Sequence, residues 1–115
     1  MKLFSKADIS AVVDSKTLEV AVPEWGEDAS VKIKSLTVAE HKAFANAVKD
    51  ISDDATISSY LCVACLIDES GSPLFNSGDV SILASKSAAA VKGIAKHCMK
   101  LNGLGKSEED ERKND

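Results

Sequence analysis

Apolar and polar positions alternate twice near the start of the chain. In Thr17 to Val22, Leu18, Val20 and Val22 fall on one face, and in Val31 to Ser35, Val31 and Ile33 oppose Lys32 and Lys34. A period of two marks a half-buried strand, because successive side chains of extended backbone point to opposite faces. The intervening "PEWGEDAS" brings Pro23, Gly26 and a cluster of acids, so the runs read as a hairpin over residues 17–36 with Trp25 capping its open end. A hairpin alone is marginal in water and needs helices to cover one face.

From residue 37 the period becomes helical. "TVAE", Thr37 to Glu40, has the spacing of a capping box, in which the Thr hydroxyl accepts from the Glu amide and the Glu carboxylate from the Thr amide. It predicts a helix from Val38 to near Asp50, with Phe44, Ala45 and Val48 at helical spacing and His41 one turn in. After "ISDD", Asp53 or Asp54 caps a second helix running to about Asp68, with a core stripe of Ile57, Tyr60, Leu61, Ala64 and Ile67. The unbroken apolar run from Tyr60 also permits a buried strand; length and the Asp caps favour the helix.

"ESGSPLFNSGDV" reads as a turn, with Gly71 free to take positive φ, Pro73 presetting an extended entry, and Leu74 and Phe75 as apolar anchors in a polar loop. Asn76 or Ser77 caps a short helix to about Ala84. "SKSAAAVKGIAKHCMKLNG" is a longer helix, with Val91, Ala95, Cys98 and Asn102 on one side, Ile94 and Leu101 beside them, and Gly103 as its stop. A further short helix is expected over Ala7 to Val13. The sum is an α+β chain, mostly helical, with about four helices and an N-terminal β-hairpin. One domain is expected over residues 1–104, its helices between about 38 and 103. A disordered acidic tail is expected over 105–115, since "KSEEDERKND" has no apolar residue.

Composition narrows the chemistry. In 115 residues, apolar types reach 44% while aromatics are only 4%, so the core rests on Ala, Val, Ile and Leu. Fourteen basic against 18 acidic residues leave a net charge of -4, which argues against nucleic acid as a partner. Three cysteines cannot all pair within one chain, and a reducing compartment is the simpler setting. The start lacks a signal-peptide pattern, and the longest apolar run, Tyr60 to Ile67, is far below the ~20 residues of a membrane helix.

Four patterns invite chemical readings. Cys62-x-x-Cys65 resembles half a zinc or redox site, but the other ligands would be the neighbours His97 and Cys98, which diverge by about 100° on a helix. Cys62 also sits mid-helix instead of at a helix N-terminus, where a thiol is activated, so packed thiols are expected. Asp68, Ser70, Ser72, Leu74, Asn76 and Asp79 fall in a calcium-loop register, but Pro73 stands where that loop requires Gly. Lys92, Lys96 and Lys100 form a basic stripe, read first as a solvated face. A sharper expectation has the acidic tail folding over the stripe until a partner displaces it. His41 and His97 have no catalytic partner at local spacing, and no enzyme motif is found.

Taken in order, "VPEWGEDASVKIKSLTVAEHKAF" followed by "LIDESGSPLFNSGDVSILASKSAAAVKGIAKHCMKLNGL" resembles the tail assembly chaperones of long-tailed bacteriophages and prophages. The likeness rests on the Trp25-Gly26 turn before a basic strand, the capping box, the acidic-glycine turn ending in Leu74-Phe75, the Gly78 to Val80 helix start and the Ser/Ala-rich last helix ending at Asn102. It covers residues 17 to 104. The resemblance implies a non-catalytic protein without a cofactor, acting in the host bacterial cytoplasm and absent from the mature virion. Its client would be the long, largely helical tape measure protein, kept soluble during tail assembly. In such families a frameshifted long form recruits the tail tube protein; this chain would be the short form, and the codons of Leu104-Gly105-Lys106 permit a slippery heptamer. Self-association is a further expectation. No signature carries over client contacts, and the candidates are the loop anchors Leu74 and Phe75 and the outer face of the last helix at Lys92, Lys96 and Lys100. The alternatives are a structural minor tail or head-tail joining protein, and a small redox or metal-binding protein. Residues 1–16 match no feature of the family.

Overall fold

The computed structural model describes residues 1–104, which form five α-helices and a three-stranded antiparallel sheet. The expected tail, residues 105–115, lies outside the described residues. Strands β1 (Thr17–Ala21) and β2 (Ser30–Lys34) form the expected hairpin, with Leu18 opposite Ile33 and Val20 opposite Val31. Val20, Val22 and Ile33 are buried on one face, while Leu18, expected beside them, is 41% exposed at the start of β1. Their connection is a single 3-10 turn at Pro23–Trp25.

The first helix, α1, spans Lys6–Ala11, starting one residue before the expected Ala7 and ending two before the expected Val13. Ser5 and Asp8 make a capping box that fixes its start, and Val12 leaves the helix in extended conformation. Helix α2 covers Val38–Val48 and carries the Thr37/Glu40 capping box. Lys34, on β2, forms an ion pair with Glu40. Partial burial raises the Glu40 carboxyl, but its bonds to the Lys34 ammonium and the Thr37 amide outweigh this and hold it below the usual value.

Helix α3 spans Asp54–Cys65 and stops three residues short of the expected Asp68. Leu66–Ile67 instead forms β3, which pairs antiparallel with β2, placing Leu66 opposite Ile33 and Ile67 opposite Lys32. The pairing satisfies backbone groups on the far side of β2 that a continued helix would leave orphaned. Just beyond, the Asp68 carboxylate accepts from the Ser70 amide at 2.9 Å and the Ser72 amide at 3.0 Å, which closes the turn. The buried stripe of α3 is also rotated from the expected one. Ser58, Ser59, Leu61, Cys62, Val63 and Cys65 are buried, while Ile57, Tyr60 and Ala64 are only half-buried.

A 3-10 turn at Ser77–Asp79, capped by Asn76, leads into α4 (Val80–Ala84), and Ser87 caps α5 (Ala88–Leu101). Helix α5 ends in a Schellman motif: the Gly103 amide donates to Lys100 and the Leu104 amide to Met99. Gly103 has φ +66°, a conformation costly for any residue with a Cβ.

The core lies where α3 and α5 pack together beneath the sheet. Leu61, Cys62 and Cys65 meet Val91, Ile94, Ala95 and Cys98, with Val20, Val22, Ile33 and Leu66 above. Small side chains such as Ala90, Ala95 and the cysteines let the helices approach closely, which offsets the shortage of rings. Full burial of Ile94 or Leu66 stabilises by about 1.5–3 kcal/mol each. Asn102 fastens this layer to the hairpin: its Oδ1 accepts the Leu36 amide, and its Nδ2 donates to the Cys98 carbonyl at 2.8 Å and to Cys65 Sγ at 3.8 Å.

Candidate docking surfaces

Because the Asp68 turn reverses the chain after β3, the loop that follows crosses beside the sheet, and its apolar residues land next to the hairpin. The Leu74 amide donates to the Leu66 carbonyl at 3.1 Å, which holds the anchor in place. Leu74 is 48% exposed and Phe75 is half-buried against the core. Together they line an open groove of about 500 Å³, walled on one side by Trp25 and Val31 and on the other by Ile82 and Leu83, with Leu66 and Lys86 completing it. Its lining is almost wholly apolar, and Trp25 and Ile82 are 39% and 45% exposed. An apolar hollow of this kind, with a cation at its rim, has the chemistry to receive an apolar side chain of a protein partner.

On its other side Phe75 lines a second groove of about 280 Å³ between α2, α3 and the loop, where Ala43, Phe44 and Ala47 face Tyr60 and Ala64. Small residues flanked by two rings leave room for another chain. Ile57, Tyr60 and Ala64, expected in the core, lie on this half-covered side because α3 turns its cysteine face inward.

The lysine stripe is elsewhere. Lys92 Nζ lies 3.3 Å from Asp54 Oδ2, an exposed pair worth about 0–1 kcal/mol, and Lys96 and Lys100 are exposed along α5. None of the three lines the large groove; the cation there is Lys86. The structure thus brings Leu74 and Phe75 together and leaves the stripe apart from them. The expected contact of the acidic tail with the stripe involves residues outside those described.

Trp25, Ile82 and Lys86 were not among the sequence candidates. Trp25, read as a cap on the hairpin's open end, is a wall of the groove, and its signal was there: a large ring in a turn rich in acids. Ile82 belongs to a helix too short for periodicity to separate its exposed side from its buried one.

The thiols converge as sequence spacing did not foretell. Cys98 lies beside both Cys62 and Cys65, close enough for each to perturb it, and Cys62 Sγ donates to the Val91 carbonyl at 3.5 Å. All three are buried and free. The contact with Cys98, followed by burial, pushes the Cys65 thiol far up, and the contact with Cys62 is the largest cause raising Cys98. Thiols held protonated are poor nucleophiles and poor ligands. His97 is exposed beside buried Cys98, as the 100° step between neighbours requires. His41 is exposed too. The Ser70 hydroxyl at 2.7 Å, then the Ser72 amide, hold the Asp68 carboxyl below its usual value, and these bonds commit its Oδ1 to the turn. Among the described residues no cluster of His, Cys, Asp or Glu is arranged to hold a metal ion, and no helix is long and apolar enough to cross a membrane.

No family model matches the chain, and no curated protein matches it. A solved structure does: the tail assembly chaperone of bacteriophage HK97 superposes with a TM-score of 0.64 at 16% identity, over 87% of this chain and 95% of that one. The agreement spans most of both chains. The chain has the fold of a phage tail assembly chaperone.

Proposed function

We propose that this protein is a non-catalytic tail assembly chaperone that binds the tape measure protein and keeps it soluble while the tail is built. The observation that carries the reading is the likeness in fold to the HK97 tail assembly chaperone over almost all of both chains. The surface chemistry supports it. A long amphipathic helix exposes an apolar stripe that aggregates unless covered, and the groove holding Leu74 and Phe75 offers an apolar trough with Lys86 at its edge. Leu74 and Phe75 are therefore kept as client contacts. Lys96 and Lys100, on a separate face, supply long-range attraction to an acidic segment, which steers encounter more than it adds affinity.

Activity of this kind belongs in the host cytoplasm, and the protein leaves before the virion is complete. A frameshifted long form would add the contact to the tail tube protein. The direct test is co-expression with the tape measure protein of the same genome. The client is expected in the soluble fraction only when this chain is present, and Leu74→Asp is expected to return it to the pellet. A client equally soluble without the chain would overturn the reading. Finding the chain in purified particles would favour a structural tail component instead.

A further inference from the structure

Two apolar surfaces of this chain have no partner within it. One is the groove between Trp25 and Ile82. The other is the N-terminal arm, Met1 to Val13, whose large apolar side chains are all exposed: Leu3, Phe4, Ile9 (62%), Val12 and Val13 (87%). The arm is ordered by its own chemistry. The Ser5 hydroxyl accepts from the Asp8 amide at 3.2 Å and the Asp8 carboxylate from the Ser5 amide at 2.9 Å. Phe4 and Ile9 occupy the positions before the cap and four residues into the helix, the pair that forms a hydrophobic staple. Yet α1 buries none of its residues, and an isolated helix of six residues is far below the length that is stable in water. A capped helix whose apolar side faces solvent is built to be covered by something else.

We infer that the N-terminal arm docks into the Trp25–Ile82 groove of a second copy of this chain. Charge is complementary along the two surfaces. The arm is basic at its start, Lys2 and Lys6, and acidic at Asp8, with Asp14 just beyond it; the groove is lined by Lys86, and the turn that carries Trp25 also holds Glu24, Glu27 and Asp28. Position also favours a neighbour. The arm leaves from the Thr17 end of β1, whereas Trp25 follows the Ala21 end, and five residues of strand separate the two ends by roughly 16 Å. The arm therefore leaves the hairpin at the end opposite Trp25. Phe4, Ile9 and Val12 supply bulk suited to a trough of about 500 Å³. In this arrangement the arm is a stand-in for an amphipathic client, covering the groove while no client is present. The inference does not depend on the client reading, because self-association is measured with this chain alone.

The single tryptophan of the chain is a wall of the groove, so docking is read by sedimentation velocity and by Trp25 emission across one concentration series of the full chain. The variants are Ile9→Asp in the arm and Ile82→Asp in the groove. Both positions are exposed, and retained far-UV circular dichroism checks that they fold; Lys86→Glu serves as a second groove variant if Ile82→Asp does not. Wild type is expected to form larger species and shift its emission to the blue as concentration rises. Each variant alone is expected to stay monomeric with unshifted emission. An equimolar mixture is expected to form a one-to-one pair and stop there, since it has one intact arm and one intact groove. Wild type that stays monomeric, Ile9→Asp that associates like wild type, or a mixture that remains monomeric would each overturn the inference.

Discussion

Asn102→Ala tests whether one side chain holds the last helix to the hairpin. The substitution removes the acceptor of the Leu36 amide, which is half-buried and separated from Asn102 by 66 residues of chain. It also removes the Nδ2 bond to the Cys98 carbonyl, although that carbonyl keeps the Asn102 amide at 3.1 Å. A stranded amide costs about 1–3 kcal/mol, and the half-buried position of Leu36 places it toward the lower end. A hydrogen bond lost without stranding its partner costs about 0.5–1 kcal/mol. The expected loss is about 2 kcal/mol, a fall of roughly 8 °C in Tm for a domain of this size. Asn102→Asp separates the two contributions. It keeps an oxygen for the Leu36 amide, loses the donor, and adds a negative charge at a helix C-terminus, unfavourable by about 0.3–1 kcal/mol. Urea unfolding of the three proteins side by side is the assay, with Asp expected between wild type and Ala. If Ala lost less than about 0.5 kcal/mol, the Leu36 contact would not be what joins the two layers.

Gly103→Ala, at φ +66°, is expected to cost about 1 kcal/mol or more by straining the Schellman cap, read by thermal unfolding. The three buried thiols are expected to resist a thiol-specific reagent in the native protein and to react fully in denaturant; rapid native labelling of Cys98 would refute the packed cluster. For Glu40, a folded-state value below its ordinary 4.5 means its contribution is present above that pH and fades as pH falls through the lower folded value. Glu40→Gln is therefore expected to be less stable than wild type at neutral pH by at most about 1 kcal/mol, given the partial exposure of the pair. The gap should close in acid, checked by urea titrations at several pH values.

The elements that sequence announced are those fixed by local chemistry. The capping boxes at Thr37 and the stop at Gly103 are satisfied by neighbours in the chain, and the alternation of β1 and β2 records one buried face. The end of α3 was hidden because Leu66 and Ile67 continue an apolar run without changing its character. Their departure from the helix is decided by the free edge of β2, 33 residues earlier at the Ile33–Leu66 pair. The stripe of α3 was misplaced for a related reason. Ile57, Tyr60 and Ala64 are as apolar as its cysteine side, and only the position of α5 selects which side is covered. Of the candidate contacts, Leu74 and Phe75 stood out as apolar residues in a polar loop. Trp25, Ile82 and Lys86 join them only through folding, as Trp25 comes from the hairpin turn and Ile82 and Lys86 from α4 and the residues just after it.

Phe75 belongs to the wall of both grooves, so one residue borders two open hollows. A guest that pushes the ring aside on one face narrows the space on the other. Were guests to fill both faces, the position of this one ring would link their occupancies, and a smaller side chain at position 75 would be expected to weaken that link.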